Sequence, residues 1–182
     1  MSFRLLCLAA STLALAACGS SDQPNAVDTD TSAPTAAAPV QASLIAGDGK
    51  PVGQVSMRED PTGVTIDLQV TEMGAGRHGL HLHEVGTCTL PAFESAGAHL
   101  NPENKQHGRD NPQGSHLGDL ANLTVTDEGT ATTNFLIAGA TIAQLVDSDG
   151  VALVVHADPD DYRTDPSGNS GDRIACAAFN PA

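Results

Sequence analysis

Six of the seven histidines, together with one aspartate, are spaced so that they could converge on a metal ion. His81 and His83 are separated by a single residue and would project from the same face of an extended strand. Three more histidines follow in a segment rich in glycine and proline. Imidazole with one carboxylate suits zinc, copper or iron rather than calcium or magnesium. The candidate ligands are His81, His83, His99, His107, His116, Asp119 and His156.

Taken alone, the pair His81 and His83 has a second interpretation. A strand with one wet face often carries polar residues at this spacing without binding an ion. A histidine at the end of a buried strand, such as His156, is commonly a core residue satisfied by hydrogen bonds. We favour the metal site because so many other potential ligands occur in the same chain.

The elements that must position these residues are predicted to be β-strands. Apolar and polar residues alternate with a period of two, and no convincing long helical pattern occurs, which indicates an all-β sandwich or barrel. Only 140–150 looks weakly helical. The predicted strands are 63–73, 79–85, two strands within 120–137 around the turn Asp127-Glu128-Gly129, 151–157 and 173–179. Two long segments, 87–118 and 157–172, are predicted to be functional loops.

The N-terminal segment is typical of an exported protein. Residues 1–17 combine a basic residue with an apolar run and small residues, which predicts a signal peptide. The ending LAAC resembles a bacterial lipobox, which would make Cys18 the lipidated N-terminus; an ordinary cleavage site with a chance cysteine is the alternative. Residues 18–40 are predicted to be a disordered tether, and residues 41–182 the folded domain.

Export also constrains the cysteines and the charge. Cys88 and Cys176 are the only cysteines left for the domain, so one disulfide is predicted, with two free thiols as the alternative. Removal of the signal peptide takes away Arg4 and no acidic residue, so the net charge goes from −14 to −15. Nucleic acid is therefore excluded as a partner.

Five segments in this order resemble the bacterial copper/zinc superoxide dismutases and extend over essentially the whole domain. They are GLHLHEVGTC (79–88), SAGAHLNPENKQHG (95–108), HLGDLANL (116–123), VVHADPDD (154–161) and GNSGDRIAC (168–176). The resemblance implies a Greek-key β-sandwich or barrel of about eight antiparallel strands with two long functional loops.

The resemblance also implies one copper and one zinc per chain. His99 would bridge the two ions, because an imidazole that has lost both ring protons can bind one ion through each nitrogen. The implied copper ligands are His81, His83, His99 and His156, and the implied zinc ligands are His99, His107, His116 and Asp119.

Other residues receive supporting roles from the same resemblance. Asp160 would link a copper ligand to a zinc ligand, and His78 would be a packing residue. Arg173 would dock superoxide beside copper, and His99 would transfer a proton during turnover. Copper would be reduced by one superoxide and reoxidised by the next, while zinc would keep its oxidation state.

One departure from the family pattern concerns substrate steering. Many members carry a lysine two residues after the last copper ligand, where this chain has Asp158. Lys105 and Arg109 are expected to form a positive rim instead.

The expected location is the bacterial periplasm, with a lipid anchor in the outer membrane and a role in protecting the envelope. The chain would be a monomer or a homodimer. A non-catalytic copper/zinc binding protein of the same fold is the main alternative function, and a zinc hydrolase is a weaker one because no general base is placed beside an open zinc position.

Overall fold

The computed structural model describes residues 38–181. The signal peptide predicted at 1–17, the lipidation of Cys18 and nearly all of the predicted tether lie outside the described residues. The described part contains these strands: β1 (Val40–Ala46), β2 (Pro51–Asp60), β3 (Gly63–Val70), β4 (Gly76–His78), β5 (Leu80–His83), β6 (Leu123–Val125), β7 (Ala131–Ala138), β8 (Val151–His156) and β9 (Arg173–Phe179). A four-residue helix, α1 (Ile142–Leu145), precedes β8.

Seven strands form one antiparallel sheet in the order β5-β8-β9-β1-β2-β3-β7, and β4 pairs with β6 in a second, two-stranded sheet. β1 joins the two parts of the large sheet, since it pairs with β2 on one side and with β9 on the other. The prediction of an all-β fold of antiparallel strands is confirmed. No helix within residues 38–181 is long and apolar enough to cross a membrane.

The period-two alternation predicted for 63–73 is present in β3. Val64, Ile66, Leu68 and Val70 are buried, whereas the residues between them face outward. β2 pairs with β3 from Gly53 to Asp60 and adds Val55 and Met57 to the same core. The aliphatic core therefore lies on the inner face of the sheet, as alternation in a one-sided strand requires.

The segment predicted as one strand at 79–85 is shorter in the structure, Leu80–His83, and the strand just before it has a different partner. β4 ends at His78 and pairs with β6, and β5 begins at Leu80 and pairs with β8. At Gly79, between them, a Cβ atom would lie only 2.6 Å from Ser170 Oγ. Glycine is needed there because the loop before β9 packs directly against the backbone.

The turn Asp127-Glu128-Gly129 is present, but the strands around it do not form a hairpin. Thr126 and Thr130 are joined by a backbone hydrogen bond across the turn. β6 then pairs with β4, whereas β7 pairs with β3. The segment at 140–150 does contain a short helix, which Thr141 and Gln144 stabilise with a capping box.

β5 and β8 are buried on both faces. Leu80 and Leu82 point into the main core, while His81 and His83 point to the opposite face. That outer face is covered by a second apolar cluster formed by Phe93, Ala96, Ala152, Val154 and Cys176. The interpretation of His81 and His83 as polar residues on a solvent-exposed strand face is therefore wrong, because the long loops cover that face of β5.

Candidate metal centre

The segments that carry His99 and Asp119 are bound to the outer edge of β5. Leu100 N donates to Leu82 O, and Leu82 N donates to Gly118 O. These bonds place His99 opposite His83 and Asp119 opposite His81, as isolated β-bridges. The edge of a four-residue strand thus brings together histidines that are far apart in sequence.

Four histidines form the first group of converging ligand atoms. One nitrogen from each lies within 4.8 Å of the others, and all four side chains are buried. In each ring one nitrogen has no hydrogen-bond partner in the structure. The four atoms are His81 Nδ1, His83 Nε2, His99 Nε2 and His156 Nε2.

In His81, His83 and His156, the second ring nitrogen contacts an oxygen atom. His83 Nδ1 donates to Gly97 O over 2.9 Å, and His156 Nδ1 donates to Gly171 O over 3.2 Å. His81 Nε2 lies 2.8 Å from Asp160 Oδ2. Since an N–H facing an oxygen leaves the other nitrogen as the acceptor, the free nitrogens carry the lone pairs that a metal needs.

His99 differs from the other three because its second nitrogen faces another potential ligand. Its Nδ1 lies 3.0 Å from Asp119 Oδ1, while its Nε2 belongs to the first group. The ring of His99 also stacks on that of His81, with centroids 3.9 Å apart. One imidazole therefore presents a nitrogen to each of two neighbouring ligand groups.

The second group surrounds a single carboxylate oxygen. Asp119 Oδ1 lies 3.0 Å from His99 Nδ1, 3.1 Å from His107 Nδ1 and 3.2 Å from His116 Nδ1. Asp119 Oδ2 instead accepts hydrogen bonds from the backbone N–H groups of Gly108 and His116. One oxygen orients the carboxylate and the other remains available for an ion.

The spacing within the second group fits zinc. Ligands bound tetrahedrally at about 2.0 Å are separated from one another by roughly 3.3 Å, close to the three distances from Asp119 Oδ1. One ring nitrogen of His81 also falls within 4.8 Å of the ligand atoms of His99, His107 and Asp119, but its Nδ1 is one of the unpaired nitrogens of the first group. We assign His116 rather than His81 to this group, because Asp160 holds the other nitrogen of His81 and His116 shares the central oxygen.

Asp160 lies behind both groups and contacts one histidine of each. Its Oδ2 is 2.8 Å from His81 Nε2 and its Oδ1 is 3.0 Å from His107 Nε2. The side chain of Asn122 makes two hydrogen bonds to the main chain of Asp160: it accepts one from the N–H group and donates one to the carbonyl group. Sequence reasoning missed Asn122, because an asparagine in a loop has no periodicity or motif chemistry of its own.

Burial keeps most of these imidazoles neutral. It lowers the pKa of His83 to about 2, of His156 to about 3 and of His99 to about 4. Burial also opposes protonation of His107, but its hydrogen bonds to the carboxylates of Asp119 and Asp160 outweigh burial and raise the pKa of His107 to about 9. Neutral imidazole is the form that binds a metal ion.

The two carboxyl groups are ionised. Burial alone would raise the pKa of Asp119, but its hydrogen bonds with His107 and His99 and with the backbone of Gly108 hold that pKa far below the usual range. Asp160 behaves in the same way through His107 and His81. Two buried carboxylates in contact with the same histidines attract a cation.

Arg173 lies beside the first group and is one of the residues that line a surface cavity. Its guanidinium donates to Phe93 O and to Gly97 O, and Gly97 O also accepts from His83. Lys105 and Arg109 do not line this cavity. Lys105 pairs with Glu103 in another groove, and Arg109 lies over the ring of Tyr162. The expected positive rim is therefore absent from the cavity beside Arg173.

Two further predicted residues are located by the structure. Cys88 and Cys176 form a disulfide, which confirms that prediction. His78 belongs to neither ligand group, and its ring nitrogens lie within hydrogen-bond distance of His156 O and Gly74 O. The disulfide joins the loop whose carbonyl groups bind the Arg173 guanidinium to β9, the strand that begins at Arg173.

Known proteins match both the sequence and the fold. The copper/zinc superoxide dismutase (SODC) family profile matches residues 52–179. The chain is 39% identical over 186 residues to the superoxide dismutase-like protein YojM of Bacillus subtilis, covering 96% of this chain and 94% of that protein. It is 41% identical over 142 residues to a Cu-Zn superoxide dismutase of Caulobacter vibrioides, covering 74% and 81%.

Solved structures agree with the sequence matches. A superoxide dismutase-like protein from Bacillus subtilis, solved as a double mutant with two substitutions to histidine, is 38% identical, has a TM-score of 0.75 and covers 80% of this chain and 100% of that one. The Cu/Zn superoxide dismutase of Brucella abortus is 26% identical, with a TM-score of 0.65 and coverage of 79% and 100%.

The fold and the two histidine groups define a β-barrel protein with a paired metal centre, and the chain belongs to the copper/zinc superoxide dismutase family. Its enzyme class is superoxide dismutase, and its cofactors are copper and zinc.

Proposed function

We propose that this protein dismutates superoxide to dioxygen and hydrogen peroxide, with copper and zinc held by the two ligand groups. His81, His83, His99 and His156 would hold copper, and His99, His107, His116 and Asp119 would hold zinc. The observation that carries this proposal is the set of buried imidazole nitrogens that have no hydrogen-bond partner and converge. Leaving such atoms unpaired costs free energy unless an ion binds them.

When bound, copper supplies one-electron redox chemistry and zinc supplies a fixed positive charge. Arg173 would attract and orient the anionic substrate, because it shares Gly97 O with His83 and two carbonyl groups set its position. Burial of the surrounding histidines keeps competing water out of the site.

The reaction consumes two superoxide anions and two protons and yields one dioxygen and one hydrogen peroxide. His99 Nε2 is placed to take up a proton after the first electron transfer and to release it to the peroxide formed in the second. Its Nδ1 would meanwhile stay beside Asp119, in the group that would hold zinc. The second proton comes from solvent.

Metal analysis and superoxide decay on the purified protein test this proposal together. About one copper and one zinc per chain with fast decay supports it, whereas zinc alone without decay contradicts it. Arg173→Ala should keep both metals and lower the decay rate about ten-fold or more, since it removes the charge that docks the substrate. Arg109→Ala is the matched control, because Arg109 lies over Tyr162.

A non-catalytic metal-binding protein of the same fold remains the second candidate, since one relative carries the name superoxide dismutase-like. In this chain every implied copper ligand is a histidine and Arg173 is present. Bound copper and zinc with no decay above free buffer would favour that candidate.

We also propose that the protein acts in the periplasm, anchored by lipid on Cys18, and removes superoxide that reaches the cell envelope. The small residues that precede Cys18 and the polar stretch that follows it support this location. Cys18→Ala should move the protein from the membrane fraction and abolish incorporation of labelled fatty acid. A membrane-bound, unlabelled wild-type protein would contradict lipid anchoring.

A further inference from the structure

His107 is bound at two points by the loop between β8 and β9, residues 157–172. Asp160 Oδ1 lies 3.0 Å from the ring nitrogen Nε2 of His107. Asp165 Oδ1 accepts a hydrogen bond of 2.6 Å from the main-chain N–H of His107, across 58 positions in sequence. Two aspartates of one loop therefore bind two different parts of the same proposed zinc ligand.

The backbone of this loop also lies directly against the segment that begins at His107. Tyr162 O accepts a hydrogen bond of 3.0 Å from Asp110 N–H. A Cβ atom on Gly108 would clash with Tyr162 O. A Cβ atom on Gly168 would lie 2.7 Å from His107 Nε2. Because neither glycine leaves room for a side chain, the segments 107–110 and 160–168 form a closely packed junction.

Asp165 lies in a turn whose own hydrogen bonds fix where its side chain projects. Gly168 N–H donates to Thr164 O over 2.7 Å and closes the turn around Asp165. Thr164 in turn donates from its N–H and from its hydroxyl group to the carboxylate of Asp161. Asp165 is exposed and belongs to neither ligand group. It also lies between two of the segments that resemble the family, so the resemblance assigns it no role.

We propose that Asp165 is a positioning residue for the zinc ligand His107, because its carboxylate fixes the main chain from which the imidazole projects. Asp160 orients the ring, but the ring still moves with its backbone. A charge-assisted hydrogen bond to the main-chain N–H restricts that movement. Residues that orient metal ligands change metal affinity by roughly 10- to 100-fold. The inference rests on the proposed zinc site and not on superoxide turnover.

The effect of Asp165 should fall on zinc rather than on copper. His107 is not one of the four histidines of the first group. Asp160, by contrast, contacts His81 as well as His107. Loss of the Asp165 carboxylate should therefore weaken zinc binding selectively, whereas loss of the Asp160 carboxylate should weaken binding of both metals.

Competition with a chelator for zinc tests the proposal on the purified protein. Asp165→Ala should lower the zinc affinity about ten-fold, because the main-chain N–H of His107 loses its acceptor. Asp165→Asn removes the charge but keeps an acceptor oxygen, so its zinc affinity should stay within about three-fold of the wild-type value. Asp127→Ala, which removes an acidic side chain from the exposed turn before β7, is the control and should bind zinc like the wild-type protein.

Two further measurements separate positioning from a general loss of structure. The copper(I) affinity of the zinc-loaded Asp165→Ala variant should equal that of the wild-type protein. Amide hydrogen exchange in the zinc-free Asp165→Ala variant should become about ten-fold faster in the segment 107–110, which contains the freed N–H group. Exchange in β3 should stay unchanged. Neither measurement depends on superoxide decay.

A selective loss of zinc affinity in Asp165→Ala, with rescue in Asp165→Asn, supports the inference even if the loaded protein fails to decay superoxide, a result that contradicts only the proposed function. Wild-type zinc affinity in Asp165→Ala, or unchanged exchange in 107–110, would overturn the inference. An equal loss in Asp165→Asn would also overturn it, since the effect would then come from charge alone. So would a parallel loss of zinc and copper(I) affinity, since that indicates general damage.

Discussion

Two aspartates in the site perform different tasks with the same functional group. Asp119 uses one oxygen for backbone N–H groups and offers the other to the histidines of the second group. Asp160 uses both oxygens for imidazoles, one from each group. Asp119 is thus a candidate ligand, and Asp160 a residue that orients ligands.

Replacing Asp160 with Asn should weaken binding of both metals, by roughly 10- to 100-fold. An amide has one acceptor and one donor, so it can accept from His81 or from His107 but not from both. Competition with a chelator for zinc and copper measures the effect. Asp127→Asn, in the exposed turn before β7, is the control; equal affinities in the two variants would contradict the orienting role of Asp160.

At the scale of elements, the site depends on how β5 is flanked. β8 pairs with one edge of β5, and the segments around His99 and Asp119 bind the other edge. Alternation sends Leu80 and Leu82 into the core and sends His81 and His83 to the outer face. A short strand therefore anchors the metal centre to the most buried part of the sheet.

The disulfide fixes the loop that follows β5 to β9. The Cys88–Cys176 bond spans 88 residues and joins the loop that carries Phe93 and Gly97 to the strand that carries Arg173. Both carbonyls that hold the guanidinium therefore lie in a covalently tethered segment. The tether limits how far Arg173 and its partners can separate.

Replacing both Cys88 and Cys176 with Ser should lower the free energy of unfolding by roughly 4 to 5 kcal/mol, because a long closed loop constrains the unfolded chain. Urea denaturation of the variant and of the wild-type protein measures this difference. The same variant should lose superoxide decay at a lower urea concentration than it loses the sheet, as followed by circular dichroism. An unchanged unfolding midpoint would contradict the prediction.

At the scale of the whole molecule, the apolar core and the metal centre lie on opposite faces of one sheet. The inner face is aliphatic, and the outer face near β5 and β8 holds the histidines under the long loops. The sheet can therefore persist without metal, while the loops depend on the buried titratable groups for their stability.

The stability of the metal-free protein should be greatest near pH 6.5 to 7. Below about pH 6.5 the unfolded chain takes up protons on His83, His99 and His156, whereas the folded chain, with lowered pKa values, does not. Each of these histidines should cost about 1 kcal/mol per pH unit on acidification, until the pH reaches its folded pKa.

His107 acts in the opposite direction, because its folded pKa is raised to about 9. Its contribution is present below pH 6.5 and is lost as the pH rises through 9. Thermal unfolding in the presence of a chelator at pH 5, 6.5 and 9.5 measures the loss of stability on both the acid and the alkaline side. Equal unfolding temperatures at pH 5 and 6.5 would contradict the role of the buried neutral histidines.

Much of the molecule could be predicted from the sequence. The strand β3 could be predicted because alternation of apolar residues is a local pattern. The disulfide could be predicted because only two cysteines remain for the domain. The ligand residue types could be proposed because the chain carries six spaced histidines and an aspartate, and their division between copper and zinc was implied by the resemblance to the family. The change of partner at Gly79 and the support of Asp160 by Asn122 could not be predicted, because both depend on which loops meet.

By itself the sequence determined the residue chemistry: alternation for a one-sided strand, imidazoles and carboxylates for metals, and a single cysteine pair. Only the tertiary structure decided that His99 faces both ligand groups, that the histidine face of β5 is buried, and that Lys105 lies away from the cavity beside Arg173. The reason is physical: side-chain alternation is a local property of the backbone, whereas burial and electrostatic potential depend on every segment that folds nearby.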